Sequence, residues 1–278
     1  VSIDVVVFPQ WQGSDSARAM RLCDGASILQ SELNVPDYRV VDVPSEAGDS
    51  LGTAVKRISS LQHARRSALE VLRGTTGPVV TLGGDCASDL ASIDYALGLY
   101  GSKNTAVIWC DAHADLNTPA TSPSGAFSGM VLRALLGEGP DELPVEHPIL
   151  PHNLILVGGR DYDDAEAALI DTLGIRLVTA NELADPLALG TAVAATGATH
   201  AYVHLDLDVI DPAEFESVHS PVPFGPSVAD LTASVRGIRE HAASAGGSIC
   251  EFAPESDDPQ AAGDDLTTVL RLIGAITA

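Results

Sequence analysis

The chain has 278 residues, of which 45% are hydrophobic and 19% charged. That composition can bury a full core and excludes intrinsic disorder, and the length suits one α/β domain over residues 1–278. Lys+Arg number 15 and Asp+Glu 38, a formal net charge of −23. Such a charge argues against adhesion to nucleic acid or anionic membranes and suits cationic ligands, metal ions or guanidinium groups. No run approaches the ~20 apolar residues of a membrane span. The first residues lack a basic segment and continue as a strand, which does not read as a secretory leader. Cys23, Cys86, Cys110 and Cys250 are far apart in the sequence, with no Cys-x-x-Cys. This argues against a disulfide scaffold and for a reducing, cytoplasmic setting.

Short apolar runs, rich in β-branched residues, predict eight strands. They lie at 3–8, 40–43, 79–82, 106–110, 154–157, 176–178, 202–205 and 248–252. Most are apolar on both faces, as buried parallel strands are. Helical periodicity predicts helices at 16–33, 51–73, 87–100, 165–173, 231–245 and about 265–276. Ser14 and Asp15 stand where they could cap the first, and Gly74, Gly101, Gly174 and Gly246 stop the next four. Alternating strands and helices indicate a doubly wound, parallel sheet of about eight strands. Such sheets bind ligands at the carboxyl ends of their strands.

Four strand ends carry chemistry. The third predicted strand runs into Gly83-Gly84-Asp85-Cys86, and the fourth into Asp111-Ala112-His113-Ala114-Asp115. The seventh runs into Asp206-Leu207-Asp208 and then Asp211-Pro212, and the eighth holds Glu251. If the chain stays extended, period two sends Asp111, His113 and Asp115 to one side, and Asp206 with Asp208 likewise. So many carboxylates cannot be desolvated together without cations. Carboxylates with one imidazole suit Mn²⁺ better than Zn²⁺ or Mg²⁺, and two ions sharing bridging carboxylates use the set best. Each acid has a plainer explanation, since Asp after a strand often caps a helix or binds backbone in a turn. That explanation is preferred for Asp211, and His204, inside a strand, reads as a packed histidine.

These motifs, in this order and across nearly the whole chain, resemble the ureohydrolase family of arginases, agmatinases and their relatives. Gly83–Cys86 is similar to the family's Gly-Gly-Asp-His and Asp111–Asp115 to its Asp-Ala-His-x-Asp. Asp206–Pro212 is similar to Asp-x-Asp-x-x-Asp-Pro, and Glu251–Pro254 to Glu-x-Asn-Pro. The resemblance implies a single α/β domain with an eight-stranded parallel sheet. It implies hydrolysis of a guanidino group by a hydroxide bridging two Mn²⁺ ions per subunit, and an assembly of three or six subunits. It places Cys86, Asp111, Asp115 and Asp206 on one ion and His113, Asp111, Asp206 and Asp208 on the other. Asp115 also orients the hydroxide, and Glu251 pairs with the guanidinium. Asn117-Thr118-Pro119 and Ser124-Gly125 are similar to the arginase loop that holds an α-carboxylate, and the segment containing Asp163 and Glu166 to that holding an α-amino group. These imply a guanidino amino acid as substrate. Turn chemistry also explains Asn117 and Ser124, and a helix start also explains Asp163 and Glu166.

Two positions depart from the family pattern. Cys86 stands where the family has a metal-binding His, and Ser128 where arginases carry the His credited with passing protons to the leaving amine. Ala126 also replaces an Asn. Four carboxylates balance two dications, so a Cys86 thiolate adds a net negative charge, making the metal a weaker Lewis acid and its hydroxide more basic. A neutral thiol would bind Mn²⁺ poorly. A less basic, more electrophilic substrate tolerates both changes, which leads to Nω-hydroxy-L-arginine, hydrolysed to L-ornithine and hydroxyurea. A Cys in this slot resembles the family's hydroxyarginine-hydrolysing branch. Plain arginase activity, a covalent Cys86 nucleophile and a metal-poor guanidino-binding pseudoenzyme are the alternatives. His219, in the Ser220-Pro221 loop where arginases usually carry Gly, could approach the substrate but is expected to face solvent.

Overall fold

The computed structural model describes residues 3–33 and 37–277. Their strands form one eight-stranded sheet: β1 (Asp4–Phe8), β2 (Tyr38–Val40), β3 (Val79–Gly83), β4 (Thr105–Cys110), β5 (Leu154–Val157), β6 (Arg176–Val178), β7 (His200–Asp206) and β8 (Ala243–Cys250). The spatial order is β2-β1-β3-β8-β7-β4-β5-β6, and every pairing is parallel. Hydropathy follows position: β3 and β4 are buried throughout, whereas edge strand β2 is exposed at all its residues and edge strand β6 at two of three.

Around the sheet run α1 (Arg21–Glu32), α2 (Ile58–Leu72), α3 (Asp89–Tyr100), the short α4 (Val131–Arg133), α5 (Asp164–Leu173), α6 (Ala188–Thr196), α7 (Val228–Gly237) and α8 (Pro259–Thr277). One apolar core contains Leu29, Val203, Leu231 and Leu272, and a second contains Leu90, Trp109, Leu132 and Tyr202. No helix among the described residues is long and apolar enough to cross a membrane.

The fold departs from the sequence pattern at several boundaries. Residues 243–245, expected to end a helix, begin β8, and the helix closes earlier as α7 and a 3₁₀ turn. The small residues that lower strand propensity there are needed for packing. A Cβ on Gly246 would lie 2.4 Å from the Val79 carbonyl oxygen, and one on Gly247 2.5 Å from Ile276 Cγ2. Gly246, expected to stop a helix, has φ +121° within the strand. The first helix starts at Arg21 rather than 16, and Met20 at its start provides no side-chain cap. Ser14 instead accepts from the Ser16 amide at 3.2 Å, a local turn that postpones the helix. α6 was not anticipated, because its Ala- and Gly-rich sequence has little amphipathic contrast.

The topology explains the site. The strands ending in the acidic motifs, β3, β8, β7 and β4, are four consecutive central neighbours. Connections leave β4 and β7 in opposite directions, so a crevice opens at their carboxyl ends.

Candidate metal centre

At the end of β4 the chain does not stay extended. Asp111 Oδ1 accepts from the His113 amide at 2.7 Å, bending the backbone, and Asp115 takes φ +53°. Asp206 Oδ1 likewise accepts from the Asp208 amide at 2.8 Å and starts a 3₁₀ turn. Strand periodicity is therefore not what gathers these acids; Asp-driven turns are. The two turns are joined, since the Ala112 amide donates to Asp208 Oδ1 at 3.0 Å and His113 Nδ1 lies 3.0 Å from Asp208 Oδ2. Trp109 Nε1 donates to Asp111 Oδ2 at 3.1 Å.

Cys86 follows Asp85, which is fully buried and receives Gln10 Nε2, the Gly13 amide and the Ala87 amide at 2.8–3.0 Å. Asp85 thereby ties the end of β3 to the loop after β1. The Cys86 thiol donates to Asp206 Oδ2 at 2.9 Å. Glu251 lies just beyond β8 rather than within it, with φ +63°, and its amide donates to the Gly84 carbonyl at 2.9 Å. Asp111, His113 and Asp208 bring one ligand atom each within 4.8 Å of one another, and so do Cys86, Asp206 and Glu251. Asp115 belongs to neither triad. Its carboxylate is nonetheless buried, and Oδ2 has no hydrogen-bond partner among the described residues.

The electrostatics follow from burial. Desolvation, reinforced by the Asp111 charge, holds Asp115 and Asp208 above the usual carboxylate range, and desolvation with the Asp208 charge does the same for Asp206. Burial works to raise Asp111 too, but the His113 hydrogen bond and charge outweigh it and hold Asp111 low. Burial works to lower His113, yet its Asp111 and Asp208 partners raise it strongly. Burial, then Cys250 and Asp206, push the Cys86 thiol up. A buried thiol held in its neutral form is a poor covalent nucleophile and equally a poor Mn²⁺ ligand, so it counts against that alternative and Cys86 would hold an ion only on losing its proton. A cluster of hard oxygen donors with an imidazole, including one buried oxygen without a partner, fits divalent metal ions.

A cavity of about 320 Å³ lies over this cluster and is lined by Cys86, His113, Asp115, Asp206, Asp208 and Glu251. Asn117, Ser124, Asp163 and Glu166 line it as well, so every candidate except buried Asp111 borders the same space. These four already have partners within the protein. Asp163 caps α5 and accepts from Asn117 Nδ2 at 2.7 Å, while Glu166 Oε2 accepts from the Asp163 amide in a reciprocal capping box. Ser124 Oγ accepts from the Ala126 amide at 3.1 Å. Their turn and cap roles are thus real, and their place on the wall is an additional property. Ser128 and Ala126 also line the cavity. The Asp211 carboxylate accepts from the Ala213 amide in a local turn, and its backbone amide donates to the Pro226 carbonyl, both structural roles. His204 is packed, stacked on Trp109 with centroids 3.5 Å apart and 2.7 Å from Asp89.

His219 corrects an expectation. Its side chain is 3% exposed, not solvent-facing, and it borders the cavity 3.5 Å from Glu251. Its position, where arginases usually carry Gly, allowed approach to the substrate, and the path of the loop after β7 brings it there.

The model of the Arginase family matches residues 12–271. The chain belongs to the arginase family. An arginase from Staphylococcus aureus (strain COL) is 37% identical over 203 residues, 67% of this chain and 66% of the relative. The matches span about half to two thirds of the length of such curated relatives. The fold is similar to Entamoeba histolytica arginase in complex with L-ornithine, with TM-score 0.86 and 21% identity over 99% of this chain and 98% of the other. Bacillus subtilis arginase gives TM-score 0.80 and 24% identity with the same coverage.

Proposed function

We propose that this arginase-family chain is a two-metal amidinohydrolase acting on Nω-hydroxy-L-arginine, with L-ornithine and hydroxyurea as products. The observation that carries the reading is the cavity itself. A cluster of acids with one imidazole lies at its floor, Asn117, Ser124, Asp163 and Glu166 line its wall, and Cys86 and Ser128 stand at the two departures from the family pattern. Its size suits a ligand as small as an amino acid.

Cys86, Asp111, Asp115 and Asp206 would hold one ion and His113, Asp111, Asp206 and Asp208 the other, with Mn²⁺ favoured by the donor types. Two such ions, once bound, would supply an activated water and offset the carboxylate charge. Glu251 accepts from the guanidino group and fixes its plane toward the acids. The wall residues orient the amino-acid end, with Asn117 and Asp163 already held in register by their mutual hydrogen bond. Ser128 offers only a hydroxyl where arginases have His, so the substrate must need less help in expelling the amine. An N-hydroxyguanidine meets that need because it is less basic than guanidine and its neutral form is more electrophilic. On this reading the chain is the counterpart of the Nω-hydroxy-L-arginine amidinohydrolase of D-cycloserine biosynthesis. Its unpaired cysteines suit the cytoplasm.

Plain arginase activity is the second reading. It is favoured by the names of the curated relatives and by the L-ornithine bound to the Entamoeba histolytica arginase. Ornithine release from L-arginine and from Nω-hydroxy-L-arginine, measured side by side with Mn²⁺ and after chelation, separates the two. Preference for hydroxyarginine, lost on chelation and restored by Mn²⁺, is the expected result. Equal or faster turnover of arginine establishes the second reading. Turnover of neither leaves a guanidino-binding pseudoenzyme.

A further inference from the structure

The His219 ring is almost wholly buried, yet neither nitrogen forms a hydrogen bond of normal geometry among the described residues. The Glu251 carboxylate lies 3.5 Å from Nδ1, and the Arg18 main chain and the Asp85 charge also act on the ring. Burying a polar group without a partner is unfavourable. The ring borders the cavity, but both nitrogens are shielded from solvent, so a partner arriving with the ligand reaches one of them only after a rotation of the side chain. The other imidazole on the wall, His113, is committed to Asp111 and Asp208. His219 is therefore the uncommitted imidazole of the cavity, next to the carboxylate assigned to the guanidino group.

The chemistry of the two candidate substrates separates here. A guanidinium presents only N–H donors, which Glu251 or the acceptor nitrogen of an imidazole can take but which leave an imidazole N–H without a partner. An N-hydroxyguanidine adds an oxygen that both donates and accepts. A neutral imidazole offers one donor and one acceptor, the complement of that hydroxyl. Burial and the Arg18 charge outweigh the opposing pull of the Arg18 main chain and the Asp85 charge and hold His219 toward its neutral form.

We propose that His219 is a specificity-determining residue that hydrogen-bonds the N-hydroxyl of the substrate beside Glu251. This rests on the hydroxyarginine reading above. It also accounts for a histidine that the metal cluster does not use. A site built to pair a hydroxyl discriminates strongly against the analogue lacking it, because its own polar atoms then stay unpaired.

The test uses the full chain loaded with Mn²⁺ and two variants. His219→Leu fills the ring's space without hydrogen bonding, and His219→Gln keeps one donor and one acceptor. kcat/KM is measured on both substrates, together with bound metal and the thermal midpoint. His219→Leu is expected to lose about 10- to 100-fold on hydroxyarginine, the equivalent of one to two decades for a lost hydrogen bond. Its turnover of arginine should fall by a smaller factor, so that the hydroxyarginine-to-arginine ratio drops, with metal content and thermal midpoint retained. His219→Gln should recover most of the loss. An equal fall on both substrates in His219→Leu, or no fall on either, overturns the assignment, and so does a selective loss that His219→Gln fails to reverse. If His219→Leu does not fold, the decision passes to His219→Gln, where a substrate ratio close to the parent's supports the assignment and an unselective one overturns it. A parent that does not prefer hydroxyarginine removes the hydroxyarginine reading itself, and the His219 role with it. A parent that does prefer it, with His219→Leu unchanged, removes only the His219 role.

Discussion

Gly84→Ala tests how the crevice is held open. A Cβ at Gly84 would lie 1.6 Å from the Gln10 carbonyl oxygen, and Gln10 C and N are also within 3 Å, so the obstruction is backbone that cannot rotate away. Reaching even 3.0 Å requires the strand ends to separate by 3.0 − 1.6 = 1.4 Å. Two hydrogen bonds are sacrificed in that movement, from the Asp85 amide to Gln10 O and from the Glu251 amide to Gly84 O, both 2.9 Å. Overpacking costs about 1–3 kcal/mol, and two hydrogen bonds at about 1 kcal/mol each bring the loss to about 3–5 kcal/mol. With a urea m-value near 3 kcal/mol/M, the unfolding midpoint falls by about 1–2 M. Cys86 and Glu251 flank the disturbed backbone, and a displacement of about 1 Å at a reacting centre costs about 100-fold in rate. Urea titration followed by circular dichroism, with a parallel turnover assay, reads both effects. A midpoint shift below about 0.2 M with activity within threefold would refute the claim that this contact sets the site.

Three other outcomes are expected. Asp115→Asn should reduce bound manganese, read by elemental analysis after gel filtration, from two ions toward one per chain while the far-ultraviolet spectrum is kept; unchanged stoichiometry would mean the unpartnered Oδ2 is not a ligand. Asp163→Ala should cost about 1 kcal/mol through loss of the α5 cap, whereas Asp163→Ser should keep the helix stable but raise KM for the amino acid, and a KM unchanged in both would confine Asp163 to capping. Burial, then Asp24 and Asp85, raise the Cys23 thiol from 9.0 to about 11. Because the thiolate is the reactive form, alkylation in the native state should be about 100-fold slower at pH 8 than for an ordinary thiol and should climb as pH rises toward 11. Cys86, Cys110 and Cys250 are buried and should stay unlabelled; fast labelling of any of the four, followed by mass spectrometry, would contradict this.

Much of the site was legible because its chemistry is carried by short runs beginning at strand ends. Asp111–Asp115 and Asp206–Asp208 could be read as metal-binding, since so many acids beside apolar strands need cations. The reason they converge was not legible. Extended periodicity would point the side chains to one side, but the structure uses Asx turns and a left-handed Asp115. Substrate-wall residues were ambiguous for a physical reason: Asp163 and Glu166 satisfy a helix start and border the cavity at once, so one pattern serves two roles.

The sequence by itself determined the class of fold, the eight strands and the donor types, because burial on both faces and hard oxygen ligands are local properties of short segments. Only the tertiary structure decided the order that makes β3, β8, β7 and β4 neighbours, which is set by chain crossovers that no local pattern encodes. It also decided that Ala243–Cys250 is a strand, where small residues are required by the closeness of Val79 and Ile276 rather than by propensity. His219 is the sharpest case. Its sequence context marks it only as a departure from the family's usual Gly, and its place 3.5 Å from Glu251 arises only in the folded chain.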